Sequence, residues 1–172
     1  MLPMPVADFA AISRQLAESG RRVHVMWQTP ESLAFVARGR EYRSEFHINP
    51  SDEVMYMIKG EMNLHYRTPE GEEDIELLRE GSAIYTAAGI PHSPRFPPDA
   101  CLLVTERMRR PGEVDRFQWF CSQCDHLLHE EHFTVDDYRK DPVSRAYANF
   151  FDSEAHRTCG HCGHVMPRPA AA

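Results

Sequence analysis

From Val23 to Phe120 the chain is interrupted at short intervals by turn-forming clusters: QTP, RGR, NPSD, KGE, TPEGEED, REG and PHSP. The runs between them are short and rich in Val, Ile, Phe and Tyr. Such runs make strands, and the Gly, Pro, Asn and Asp clusters make the turns that join them. Eight or more strands are expected, a pattern that belongs to an all-β sandwich or barrel.

The ends of the chain have a different texture. Asp8 precedes FAAISRQLAES and Gly20 follows it, so an N-cap, an apolar stripe through Phe9, Ile12 and Leu16, and a glycine C-cap predict a short helix. Beyond Phe120, HLLHEEHF reads as one more strand, and Asp141 with Pro142 as a helix start. Residues 1–120 are thus read as a barrel with an N-terminal helix, and residues 121–172 as a C-terminal extension.

Charge removes several function classes. With 26 Asp and Glu against 19 Lys and Arg, the net charge of −7 repels nucleic-acid phosphates and anionic membranes. No run of about 18 apolar residues is present, and MLPMPVADFA lacks the basic and apolar regions of a signal peptide. A cytoplasmic location with neither nucleic-acid nor membrane partner is expected. In that setting the four cysteines of CSQC (Cys121, Cys124) and CGHC (Cys159, Cys162), 34 residues apart, read as the paired knuckles of a tetrahedral zinc or iron site, not as disulfides. His161 and His164 offer a substitute ligand for a version with three cysteines and one histidine. Cys101, in the apolar run CLLVTE, reads as a buried inert thiol.

A second constellation lies in the strand-rich part. Strand alternation puts Arg43, Glu45 and His47 of REYRSEFH on one face, and Glu53, Met55 and Met57 on one face of the following strand. If those two strands are neighbours, the turn INPSD brings Glu53 to His47. His92, set by Gly89 and Pro91, is the third partner. Two neutral imidazoles and one carboxylate on one side of Fe(II) leave three adjacent positions for substrate and dioxygen. Manganese or nickel also accept such ligands, and a solvated glutamate beside two ordinary histidines is the alternative on spacing alone.

The stretch Gly39-x5-Glu45-x-His47-x5-Glu53-x6-Gly60 resembles the first cupin motif, and Gly81-x5-Ala87-x-Gly89-x2-His92 resembles the second. Glu45 stands where cupins usually carry a first histidine, and the loop before Glu53 is longer than usual. Both features, with PHSP, LVTER, the aromatic pair before CSQC and the terminal CGHC, are similar to bacterial 3-hydroxyanthranilate 3,4-dioxygenases. The resemblance covers about residues 20 to 168. It implies a cupin barrel (a double-stranded β-helix, or jelly roll) with a C-terminal metal-knuckle appendage.

The activity implied is cleavage of an o-aminophenol ring with O2. In the family, 3-hydroxyanthranilate is opened to 2-amino-3-carboxymuconate 6-semialdehyde, a quinolinate precursor of tryptophan catabolism. Fe(II) on His47, Glu53 and His92 is implied, as are catalytic roles for Arg43 and Glu106, and a homodimer. The four-cysteine site is implied to hold iron and to be dispensable for ring cleavage. The family also holds the substrate carboxylate with an arginine four residues beyond the second ligand histidine. Here that place is Phe96, and Arg95, the substrate-binding candidate beside Arg43 and Glu106, comes one residue early: on the opposite face if the strand alternates, inward if the prolines at 94, 97 and 98 break the alternation. A different o-aminophenol substrate, or a binding module without turnover, are the competing expectations.

Overall fold

The computed structural model describes residues 4, 6–40, 42–140 and 143–169. Helix α1 runs Phe9–Ser19, capped by the Asp8 carboxylate, which accepts the Ala11 N–H at 3.1 Å, and closed by Gly20 at φ 68°. Ten strands then follow up to Phe120: β1 Val23–Thr29, β2 Ser32–Arg38, β3 Phe46–Ile48, β4 Glu53–Lys59, β5 Glu61–Arg67, β6 Glu73–Arg79, β7 Ala83–Thr86, β8 His92–Arg95, β9 Cys101–Glu106 and β10 Asp115–Phe120. Strand β11 (Leu127–Phe133) and helices α2 (Ser144–Phe151) and α3 (Glu154–Arg157) complete the described elements. The helix start expected at Asp141 and Pro142 lies outside the described residues.

The strands form two antiparallel sheets, β1-β2-β9-β4-β7 and β11-β10-β3-β8-β5-β6. Both contribute to one apolar core. Leu33, Met55, Met57 and Val104 from the first meet Met62, Leu64 and Leu78 from the second. This is the cupin jelly roll. Gly60 alone joins β4 in one sheet to β5 in the other; it sits at φ 83°, and a Cβ there would lie 2.8 Å from the Ala100 Cβ. Gly39 has a stricter reason, since a Cβ on it would fall 2.0 Å from the Pro97 carbonyl oxygen.

Two expectations change. Strand β3 begins only at Phe46, so Arg43 and Glu45 stand in the irregular segment before it. And β3 and β4 are not neighbours: β3 pairs with β8 and β10, while β4 pairs with β7 and β9. The INPSD segment therefore crosses from one sheet to the other. His47 and Glu53 meet through the barrel interior and not along a shared ladder.

Residues beyond 120 pack on the barrel through aromatic rings. Trp119, fully buried, stacks on Phe150 of α2 at 4.3 Å with an 11° interplanar angle. Emptying such a site costs about 3–5 kcal/mol. Cys101 is buried in a separate cluster under α1 with Ile12, Leu16 and Val36.

Candidate active site and four-cysteine centre

His47 and His92 are direct register partners on β3 and β8, which sets their rings 5.5 Å apart. Glu53 opens β4 on the opposite sheet, and the crossing loop delivers it. In that loop the Asn49 side-chain oxygen accepts the Ser51 N–H at 2.9 Å and the Ser51 hydroxyl at 3.0 Å, while the Asn49 carbonyl accepts the Gly89 N–H at 2.8 Å. One donor atom from each of His47, Glu53 and His92 falls within 4.8 Å of the others.

Both histidine rings are held by a second polar partner. The His92 Nδ1–H donates to the Ile90 carbonyl at 2.9 Å, which turns Nε2 toward Glu53. His47 Nε2 donates to the buried Asp115 carboxylate at 2.6 Å. A second polar partner of this kind fixes the plane of a metal-binding imidazole.

The residues fit a metal on three counts. Glu53 Oε2 lies 2.8 Å from His92 Nε2, yet this buried oxygen makes no hydrogen bond. A buried carboxylate oxygen left so costs about 1–3 kcal/mol or more, and neighbouring donors on an octahedral ion stand about 3 Å apart. The charges agree as well. Glu53, Glu106 and Asp115 are buried against the guanidinium of Arg109, an excess of one negative charge even when Glu106 carries a proton. Finally, burial pushes the Glu53 carboxyl up, but attraction to His92, His47 and Arg109 outweighs it and holds it below the ordinary carboxylate range.

The triad lines a cavity of about 930 Å³. Arg43 lines it too, with its Nε 2.9 Å from a Glu45 carboxylate oxygen. Glu45 is itself buried and accepts the hydroxyl of Tyr147 on α2. Glu106 stands behind the cavity wall, where Oε2 accepts from Arg109 at 2.6 Å, from Asn49, and from the Ser51 hydroxyl at 3.2 Å. Burial, then the charge of Glu53, raise its carboxyl above the ordinary range despite Arg109.

Arg95 shares the cavity with Arg43 and feels the charges of Glu45 and Arg43. It reaches the cavity edge, but β8 keeps its alternation through Pro94, pairing Pro94 with Leu64 and Arg95 with Asn63. The guanidinium turns to the outer face, 3.7 Å from Glu73 and 5.5 Å above the Phe46 ring. Phe96 lines the cavity.

Sequence reasoning passed over Asp115, Arg109, Asn49 and Tyr138. Only Asp115 left a trace. In DRFQWF it alternates with Phe117 and Trp119, so an acid shares an inward face with two large rings and needs a partner.

The second cluster gathers Cys121, Cys124, Cys159 and Cys162. Sγ–Sγ separations of 3.6 Å (Cys121 to Cys162) and 3.5 Å (Cys124 to Cys159) are far beyond a disulfide and near the roughly 3.8 Å of thiolates about 2.3 Å from a tetrahedral ion. The two knuckles repeat one design. Cys121 N–H donates to the His126 carbonyl and Cys159 N–H to that of His164, both at 2.8 Å; in each, the fourth residue on, Asp125 or Gly163, takes a positive φ. His164 turns aside to the Ser122 hydroxyl at 3.2 Å. Backbone N–H donation from Cys162 and His161 overcomes burial and lowers the Cys159 thiol to about 6.

Fold and triad together define a cupin with a two-histidine, one-carboxylate metal site. The 3-hydroxyanthranilic acid dioxygenase family model matches residues 22–151. A 3-hydroxyanthranilate 3,4-dioxygenase of Bacillus cereus is 38% identical over 143 residues, 83% of this chain and 79% of that relative. Those of Paraburkholderia phytofirmans and Xanthomonas campestris are 33% and 34% identical, over 84% and 80% of this chain and 83% and 77% of theirs. The chain belongs to the 3-hydroxyanthranilic acid dioxygenase family.

Proposed function

We propose that this protein opens the ring of 3-hydroxyanthranilate with O2, placing both oxygen atoms in 2-amino-3-carboxymuconate 6-semialdehyde. One observation carries the reading: His47, Glu53 and His92 converge inside a cavity large enough for an aromatic ring and walled by Arg38, Arg40 and Arg43. His47, Glu53 and His92 would hold Fe(II), which would supply the chemistry that brings an o-aminophenol and dioxygen together. Arg43, part-buried on the cavity wall, offers the cation that an anionic ring or charge developing on oxygen requires. Glu106 sits one layer back, its carboxyl raised above the ordinary range by burial and by the charge of Glu53, and takes the role of a proton donor or acceptor. The four-cysteine centre, holding zinc or iron, serves the C-terminal fold.

A related o-aminophenol is the second reading. It is favoured by the Arg95 guanidinium lying against Glu73, away from the carboxylate contact that the resemblance implied. Oxygen uptake by the Fe(II)-loaded protein separates the two. Fast consumption with 3-hydroxyanthranilate and slow consumption with 2-aminophenol supports the first reading, the reverse order supports the second, and silence with both overturns ring cleavage.

A further inference from the structure

Behind the triad lies a buried cluster built around Arg109. All five of its N–H donors have an acceptor: Nε to Asp115 Oδ2 at 2.7 Å, one terminal nitrogen to Asp115 Oδ1 at 2.6 Å and the Tyr138 hydroxyl at 2.8 Å, the other to Glu106 Oε2 at 2.6 Å and the Arg107 carbonyl at 3.3 Å. Its side chain is 4% exposed, and those of Asp115 and Glu106 are 0%. Lysine, with three donors and no planar fork, cannot fill all five places.

Two directions leave this hub. Through Asp115 it reaches His47 Nε2 at 2.6 Å, one of the three candidate metal ligands. Through Tyr138 it reaches the cavity wall, where that ring lines the pocket and stacks on Phe35 at 5.1 Å. Tyr138 is further pinned by its backbone N–H, which donates to the Gln28 side chain at 3.1 Å.

We propose that Arg109 is a positioning residue for the metal centre: by gripping both oxygens of Asp115 it fixes the plane of the His47 ring, and by holding Glu106 and Tyr138 it sets the adjoining cavity wall in the same register. The inference rests on the metal reading of the triad. Without Arg109, two buried carboxylates repel each other and Asp115 is free to turn, so the plane of the His47 ring is no longer fixed. Partners of this kind typically change metal affinity or activity by about 10–100-fold. A merely structural ion cluster changes stability and leaves the affinity of the folded fraction alone.

The test is metal titration by calorimetry, with Co(II) as the probe and the four-cysteine centre filled with zinc beforehand. Arg109→Lys and Asp115→Asn are compared with the unaltered chain and with Leu16→Ala, which destabilises the remote cluster under α1. The expected result is a Kd about 10–100-fold higher in Arg109→Lys and Asp115→Asn, an altered Co(II) d–d spectrum, and an unchanged Kd in Leu16→Ala. Folded Arg109→Lys or Asp115→Asn protein that binds Co(II) within about twofold of the unaltered chain, with only a lower Tm, overturns the proposal. If Arg109→Lys does not fold, the Asp115→Asn titration decides in the same terms. Failure of the unaltered chain to bind Co(II) at the triad is a separate outcome that overturns the metal reading, and this proposal with it.

Discussion

At residue scale the three candidate ligands were legible through the motif resemblance that spans His47, Glu53 and His92. Turn chemistry and alternation alone left a solvated glutamate beside two ordinary histidines equally open, and the neighbouring strands they suggested do not pair. Arg95, which the resemblance offers as a substrate contact, was not settled by alternation, because the prolines around it leave its face open; in the fold its guanidinium stands 3.7 Å from Glu73. If the guanidinium works only there, Arg95→Ala leaves the KM for 3-hydroxyanthranilate within about threefold, the scale of a lost exposed ion pair. A tenfold or greater rise in that KM, read by steady-state oxygen uptake, would make Arg95 a substrate contact. Arg109 and Tyr138 gave no comparable signal. Their contacts join segments as far apart as residues 28, 51, 109 and 138, a closeness that only the folded barrel creates.

At the scale of elements, helix α1 and the strand content follow from caps, turns and composition, and β11 from its short apolar run. What did not follow was which strands pair. The INPSD loop reads equally well as a hairpin turn or as a crossing between sheets, because local turn chemistry is the same in both. The knuckles show the converse, four cysteines fixed in space by spacing alone. Asp125, the one non-glycine residue at positive φ among those described, is held in that conformation by a two-pronged ion pair with Arg67, whose guanidinium lies 3.7 Å above the Phe120 ring. Metal binding at such a site is folding energy. Cys159→Ser is therefore expected to expose residues 144–166 to limited proteolysis while triad-loaded protein keeps its turnover within about twofold, since none of the four cysteines lines the cavity. Loss of turnover with the triad fully loaded would give the four-cysteine centre a part in the chemistry.

At the scale of the whole molecule, a chain of net charge −7 folds so that Arg21, Arg38, Arg40, Arg43, Arg139 and Lys140 line its one large described cavity. Their field favours entry of an anion and weakens over a Debye length of about 10 Å at 0.1 M salt. The kcat/KM for a carboxylated o-aminophenol is expected to fall severalfold between about 10 mM and 300 mM salt, while that for its uncharged analogue stays flat. Equal slopes would remove steering from the account. A further consequence comes from the sheet assignment of the ligands. Two of them ride on one layer of the barrel and the third on the other, so an ion there works as a rivet through both. Loading it should slow amide exchange along β3, β4 and β8 together and leave the outer strands β1 and β6 breathing as before, making the ion part of the barrel's mechanical frame.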